Sequence, residues 1–353
     1  MTQLMNRCYR LRRRPAGTAT AEDLEFVEEP VPDLRPGQAL VRTLWLSLDP
    51  SNRIWMSDTH YHLPPVPIGG VMRGLGIGQV VQSWRDDLRA DDLVSGYPGW
   101  QDYVIADAGD GAFTVVPPPA PEPLSALLGP LGHTGITAYL GMTDIGRPRP
   151  GETMVVSAAA GAVGSVAGQI GKALGARVVG IAGSQRKCQH VVADLGFDAC
   201  VNHRDPAWRE HLDELTPDGI DVDFENVGGS IMDHVLTRLT VGGRVVLCGL
   251  IADYNGYGAP PDGRGRLDIA KTLMVKRAVM HSFLVLDHMD RFPEATTYLG
   301  GLIAENKLRY DETVVDGLEH AAEALTGMFD GANTGKLLVR VAERMDVPGE
   351  VQA

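Results

Sequence analysis

Cysteine is scarce and scattered. The 353 residues contain four, Cys8, Cys188, Cys200 and Cys248, with no CxxC pair, which excludes a disulfide framework and a four-cysteine metal loop. Thiols placed in this way fit a reducing, cytoplasmic setting. Basic charge is also short: 32 Lys and Arg stand against 45 Asp and Glu, a formal net charge of -13. A general nucleic-acid binder needs the opposite balance, so that class is excluded, whereas a small basic pocket for one phosphate is not. No apolar run reaches the ~18 residues of a membrane span, and no apolar signal core is seen near the start. The cluster Arg10, Arg12, Arg13 and Arg14 therefore reads as a solvated first strand rather than a targeting arm. What is present, 44% apolar and 22% charged residues, describes an ordinary globular chain whose length calls for two cores.

The first 130 residues are rich in Pro, Gly and short β-type runs, at 39–46, 78–82 and 102–105, as expected for a small barrel. Five prolines in 117–123 interrupt regular structure and mark a linker. Apolar strands then alternate with helical stretches: 153–157, 177–182, 199–202, 222–225, 244–248 and 279–285. Six strands separated by helices predict an α/β, doubly wound parallel sheet. A helix over 321–329 and a turn at 331–335 lead to a last strand, 336–341, expected to return to the first domain.

The sharpest local signal follows the first of those six strands. Small residues run through Gly161, Ala162, Val163 and Gly164 into a helix expected over 166–174, the form of a dinucleotide-binding turn. Gly161 would let backbone approach a pyrophosphate, Gly164 would allow close packing of helix on strand, and free N–H groups at the helix start would face the phosphates. Ala159 stands where a first glycine is usual. The second strand ends in Gly183-Ser184-Gln185-Arg186-Lys187, with no acid to bind a free ribose 2′-hydroxyl. A hydroxyl beside two cations at a helix start suits a 2′-phosphate, so NADPH is the expected cofactor. Asn226 and the stretch Cys248, Gly249, Leu250 end later strands at the same edge, where ligands bind, although Asn226 also reads as an ordinary turn residue.

These residues form part of a longer pattern. With Ser47-Leu48-Asp49-Pro50, Val71-Met72-Arg73, Gly99-Trp100-Gln101-Asp102-Tyr103, Phe224-Glu225-Asn226-Val227-Gly228-Gly229 and Asn333-Thr334-Gly335-Lys336, the chain resembles the zinc-independent medium-chain dehydrogenases/reductases. That group includes prostaglandin, alkenal double-bond and bacterial curcumin reductases. The resemblance implies a GroES-like β-barrel substrate domain (1–130), a Rossmann domain with a six-stranded sheet (131–305), and a C-terminal segment (306–353) returning to the substrate domain. It implies NADPH in the cleft, held by Gly161 to Gly164, Ser184, Lys187, Asn226, Cys248 to Leu250, Tyr254, Phe283, Leu284, Val285 and Asn333. His203 stands where a Tyr is frequent and would replace its phosphate contact, more strongly when protonated. Asn52, Trp55 and His133 are expected near the substrate pocket. His133 and Thr134 depart from a common Gly-Met-Pro-Gly, and Gly70 from a frequent Glu, so the substrate range is the least transferable property. The same resemblance implies a homodimer through the edges of the Rossmann sheet.

The histidine and carboxylate signature of the zinc branch is missing, and the pair His60, His62 reads as two loop residues, so no metal is expected. Without a metal to polarise an alcohol or carbonyl, the expected reaction is conjugate reduction of an α,β-unsaturated ketone or aldehyde, with hydride to the β-carbon and a proton to the α-carbon. A phenol can stabilise the enolate oxygen, and the resemblance gives that part to Tyr254, which otherwise reads as a loop tyrosine before a mobile flap at 254–266. An NADPH:quinone reductase is the neighbouring alternative. A non-catalytic NADPH-binding protein is the alternative of another class.

Overall fold

The computed structural model describes residues 3–59, 62–109, 111–256 and 264–345. An opening hairpin pairs β1 (Met5–Leu11) with β2 (Leu24–Pro30). Five strands follow: β3 (Gln38–Ser47), β4 (Gly76–Ser83), β5 (Leu93–Gly96), β6 (Tyr103–Asp107) and β7 (Phe113–Val115). Ten-residue β3 is the spine of this first sheet, antiparallel to β4 and β6, and it buries side chains on both faces, Ala39 and Val41 in one apolar cluster and Leu46 in another. The proline-rich 117–123 contains no helix or strand.

The second sheet holds β8 (Thr153–Val156), β9 (Arg177–Ala182), β10 (Ala199–Asn202), β11 (Ile220–Glu225), β12 (Leu239–Leu247) and β13 (Val279–Ser282). All neighbours are parallel, in the order β10-β9-β8-β11-β12-β13, the doubly wound arrangement. Both faces are covered, so the inner strands are largely apolar on both sides, with β11 the exception in burying Asp223 and Glu225 on one face. Met154, Val156, Val178 and Phe224 pack on one face with Val166 and Ile170 of the helix Ala162–Ala173. Val155, Val179 and Val245 pack on the other with Leu212 and Val235.

Boundaries differ from expectation at three places. The helix expected from 166 begins at Ala162, because the small residues of the turn are themselves helical. The strand expected over 244–248 begins at Leu239 and stops at Leu247, leaving Cys248 just beyond it. The run 279–285 is a strand only to Ser282. Phe283 and Val285 turn in to pack against the core, and a short 3-10 segment starts at Val285.

The chain then returns to the first sheet. β14 (Glu312–Asp316) pairs in parallel with β15 (Lys336–Arg340), which lies antiparallel to β3. One residue before β15, Gly335 donates its N–H to the Ala160 carbonyl of the nucleotide turn at 2.8 Å. Gly335 has φ +66, and a Cβ there would sit 1.9 Å from the Asp311 carbonyl oxygen, so no other residue fits. Lys336, with a side chain only 3% exposed, donates to the Leu48 carbonyl at 2.8 Å and to Asp49 at 2.9 Å. Ser47 also donates to Asp49. Burial pushes the Asp49 carboxyl up, but the Lys336 ammonium and the Ser47 hydroxyl outweigh it and hold it below its ordinary value.

Removing one partner of such a buried pair strands the other. Lys336→Met is expected to cost about 3 kcal/mol in urea or thermal unfolding. A depressed carboxyl contributes stability that is complete above its unfolded value and is lost as pH falls through its folded one. The variant should therefore also lose part of the wild-type dependence of stability on acid pH. Wild-type stability in Lys336→Met would show that the pair contributes nothing.

Candidate functional site

The carboxyl edge of the parallel sheet gathers the residues singled out above. After β8 the backbone passes through Ala158, at φ +50, to Gly161, which precedes the helix Ala162–Ala173 and leaves its first N–H groups without a side-chain cap. Those donors and the helix dipole make an anion site. A Cβ on Gly164 would lie 2.5 Å from the Ala158 carbonyl oxygen, so only glycine lets the helix start this close to the strand. Ala159, in place of the usual glycine, is accommodated from the neighbouring strand: a Cβ on Gly180 would meet the Ala159 methyl at 2.8 Å.

At the end of β9, Ser184 caps the helix Gln185–Ala193, accepting the Lys187 N–H at 3.2 Å. Lys187 Nζ donates to the Gly331 carbonyl at 2.8 Å. Arg204, just past β10, donates to the Asp330 carbonyl at 2.8 Å. Sequence reasoning missed Arg204; the signal was a second cation directly after His203. Burial lowers the Lys187 pKa, and Arg186 and Arg204 lower it further. His203 Nε2 and Arg204 Nε overlie Gly183, 3.3 and 3.9 Å from where its Cβ would be. Burial, then Arg204, lower the His203 pKa. A lowered pKa favours the neutral ring, which would meet an anion as an N–H donor. Arg186, Lys187 and Arg204 form a cationic group with His203 beside it, and a phosphate dianion would relieve the repulsion among the cations.

Nearer the centre, one carboxylate shapes the turn after β11. Glu225, fully buried, accepts from the Ser157 hydroxyl at 2.7 Å, from the Gly228 N–H at 2.9 Å and from the Val227 N–H. Asn226 donates its side-chain amide to the Ser157 carbonyl and its backbone N–H to the Ser157 hydroxyl, both at 2.7 Å, which ties the end of β11 to that of β8. Cys248 and Gly249 donate their N–H groups to the Glu225 carbonyl at 2.9 and 3.1 Å, bringing in the end of β12. Burial, with Glu225 nearby, pushes the Cys248 thiol up to about 12, so it is not a nucleophile at neutral pH.

Tyr254 closes the short helix Ile251–Tyr254 and folds back over Gly249; its hydroxyl accepts the Leu250 N–H at 3.3 Å. The structure thus brings Asn226, Gly249, Leu250 and Tyr254 to one edge. Phe283 and Leu284 follow β13 at the same end of the sheet. Asn333 donates to the Gly335 carbonyl at 3.0 Å, beside the nucleotide turn. Two pocket candidates are committed elsewhere. Asn52 is fully buried, accepting the Asp49 N–H at 2.7 Å and donating to the Arg73 carbonyl at 2.9 Å, so it shapes its own loop. Trp55 is buried beneath the Arg73 guanidinium, 5.2 Å from the ring centre. His133 stands edge-on to Phe292 at 5.4 Å; burial lowers its pKa while Asp49 raises it. His60 lies outside the described residues, as does 257–263 of the expected flap.

Residues 7–115 match the family described as the N-terminal domain of oxidoreductase, and residues 162–299 the one described as zinc-binding dehydrogenase. Among the described residues no three His, Cys, Asp or Glu side chains are grouped to hold a metal ion. The chain is 43% identical over 339 residues to the NADPH-dependent curcumin reductase of Escherichia coli (strain K12), spanning 96% of this chain and 97% of that one. It is 37% identical to the 2-alkenal reductase (NADP(+)-dependent) of Nicotiana tabacum, over 86% and 87% of the two chains. The crystal structure of CurA in complex with NADPH from Vibrio vulnificus matches with a TM-score of 0.91 at 40% identity, covering 96% of this chain and 100% of that one.

If the cationic group meets the 2′-phosphate, Lys187→Ala and Arg204→Ala should each weaken NADPH binding by about 10- to 100-fold, the loss of one charge-assisted hydrogen bond. Titration of intrinsic fluorescence with NADPH and NADH separates the effects. NADH affinity should change little, and equal weakening of both cofactors would remove these residues from phosphate recognition.

Proposed function

This chain belongs to the zinc-independent medium-chain dehydrogenase/reductase family, and from that membership we propose that it is an NADPH-dependent reductase of the carbon-carbon double bond of α,β-unsaturated ketones and aldehydes. The observation that carries the reading is one sheet edge holding an uncapped helix start, a cationic group and, beyond them, a tyrosine hydroxyl. NADPH supplies the hydride when bound. The chain's own residues do the rest. The N–H groups of Ala162 to Gly164 would bind pyrophosphate, and Ser184, Lys187, His203 and Arg204 the 2′-phosphate. Asn226, Gly249 and Leu250 would orient the reactive ring at the sheet edge.

Hydride arriving at the β-carbon leaves negative charge on the substrate oxygen, and the proton is added at the α-carbon. Tyr254 is the residue we place against that oxygen. Its hydroxyl already accepts a backbone N–H, which polarises the phenol toward donating. We assign substrate binding to 1–130 with 306–353, and cofactor binding to 131–305. Four free thiols suit a cytoplasmic enzyme. Two copies would join through β13: Val279 is 57% exposed on this edge strand, and Met274 and Val275, at 72% and 63%, flank it.

A panel of 2-alkenals, cyclic enones, curcumin-like dienones and quinones, followed by loss of NADPH absorbance, tests the reaction; turnover of quinones alone would replace the reading with a quinone reductase. Tyr254→Phe should lower kcat on an enone by about 100-fold, as for one lost oxyanion donor, with NADPH affinity unchanged. Unchanged turnover would remove Tyr254 from the chemistry. For the assembly, light scattering should give a dimer that Met274→Lys combined with Val279→Asp converts to a monomer. A wild-type monomer at micromolar concentration would dismiss the interface.

A further inference from the structure

Arg53 is a buried arginine that makes no ion pair among the described residues, Asp23 acting on it only at longer range. Its side chain, 1% exposed, lies within the short helix Ser51–Trp55 of the barrel, and burial lowers its pKa. The guanidinium donates to the Gly17 carbonyl at 2.7 and 3.1 Å and to the Pro15 carbonyl at 3.4 Å. Its remaining reach is toward the other domain: Nη2 lies 3.5 Å from the Asn255 carbonyl, the outer limit of a hydrogen bond. Nη1 is buried with no partner. The side-chain oxygen of Asn255 is likewise buried with no partner.

A buried orphan donor is costly, and so is a buried orphan acceptor. Here each belongs to one side of a single interdomain contact that is already stretched. A small approach of the two segments would satisfy both at once, and it would act on the residue next to Tyr254. We propose that Arg53 and Asn255 form a clasp that positions Tyr254, the Arg53 guanidinium engaging the Asn255 side-chain oxygen when cofactor and substrate fill the cleft. The clasp fixes the short helix Ile251–Tyr254 against the barrel, so the phenol meets the substrate oxygen at one distance rather than a range. This inference rests on the reading of Tyr254 given above.

Because Arg53 also holds the carbonyls of Pro15 and Gly17, its removal can unfold the barrel, and the test is placed on Asn255. The full-length enzyme is assayed with NADPH and a linear 2-alkenal, in the variants Asn255→Ala, Asn255→Asp, Tyr254→Phe and Tyr254→Phe with Asn255→Ala. Asn255→Ala is expected to lower kcat by about tenfold, while the Kd for NADPH without substrate stays within about twofold. Asn255→Asp, which keeps an acceptor facing the guanidinium, should recover most of that loss. In the Tyr254→Phe background the alanine should cost less than about twofold, since its effect passes through the phenol. A wild-type kcat for Asn255→Ala beside a slow Tyr254→Phe overturns the clasp and leaves the role of Tyr254 standing. Equal losses in both backgrounds overturn positioning through Tyr254. A silent Tyr254→Phe removes the reading itself, and the clasp with it.

Discussion

Everything at the cleft depends on one short segment, Asn333 to Lys336, where the returning chain touches both halves of the site. The Gly335 N–H holds the Ala160 carbonyl, so the nucleotide turn is anchored to the strand that closes the barrel sheet. One residue later, the Lys336 ammonium holds Leu48 and Asp49, the start of the loop that carries Asn52 and Arg53. Asp311, whose carbonyl accepts the Lys336 N–H, also meets the His190 ring at 2.8 Å, and His190 contacts Asp194 at 2.7 Å. Three threads therefore converge within four residues. Cofactor turn, the helix Gln185–Ala193 and the barrel loop are thus tied to one another through this segment, a linkage that suits a hydride transfer between two bound molecules.

Charge is distributed with the same economy. The chain is acidic, with a formal net charge of -13, yet Arg186 and Arg204 lie close enough to Lys187 to lower its pKa. Like charges so arranged destabilise the free protein, and a dianion turns that repulsion into attraction. Lys187 and Arg204 meanwhile hold the carbonyls of Gly331 and Asp330, immediately before the anchoring segment. These hydrogen bonds tie the two cations to the turn that leads into the seam between the domains.

The parts legible in the sequence were those written as local pattern. Alternation of apolar runs with helices identified all six strands of the parallel sheet, because strands covered on both faces are largely apolar, β11 with its buried acids being the exception. The Gly161 to Gly164 turn was legible for a steric reason that the backbone confirms at Gly164. What escaped is non-local. Lys336 and Asp49 are 287 residues apart in sequence, and nothing near either predicts a buried pair. Arg204 gains its setting only when β10 comes beside β9 and the 330–335 turn covers both. β14 is short and polar at both ends, and it is a strand because β15 offers it an edge. The run 279–285 overshot because its last residues are apolar for the core they turn into, a distinction that period alone cannot make.

The acids beneath the reaction edge pose the sharpest electrostatic problem for an enolate. Asp223 and Glu225 are two residues apart on β11, side by side on one face of the strand and fully buried. Two carboxylates under a developing oxyanion would oppose it. Burial, with Glu225 beside it, pushes the Asp223 carboxyl well above the ordinary range, which favours its neutral form. Glu225 is also pushed up by burial, but the N–H groups of Gly228 and Val227 and the Ser157 hydroxyl pull in the other direction, and whatever charge it carries is directed into the turn. That turn holds Asn226 and, through the Glu225 carbonyl, Cys248 and Gly249. The buried acid thus builds the edge on which Tyr254 rests, with one carboxylate oxygen engaged by the Ser157 hydroxyl and two backbone N–H groups.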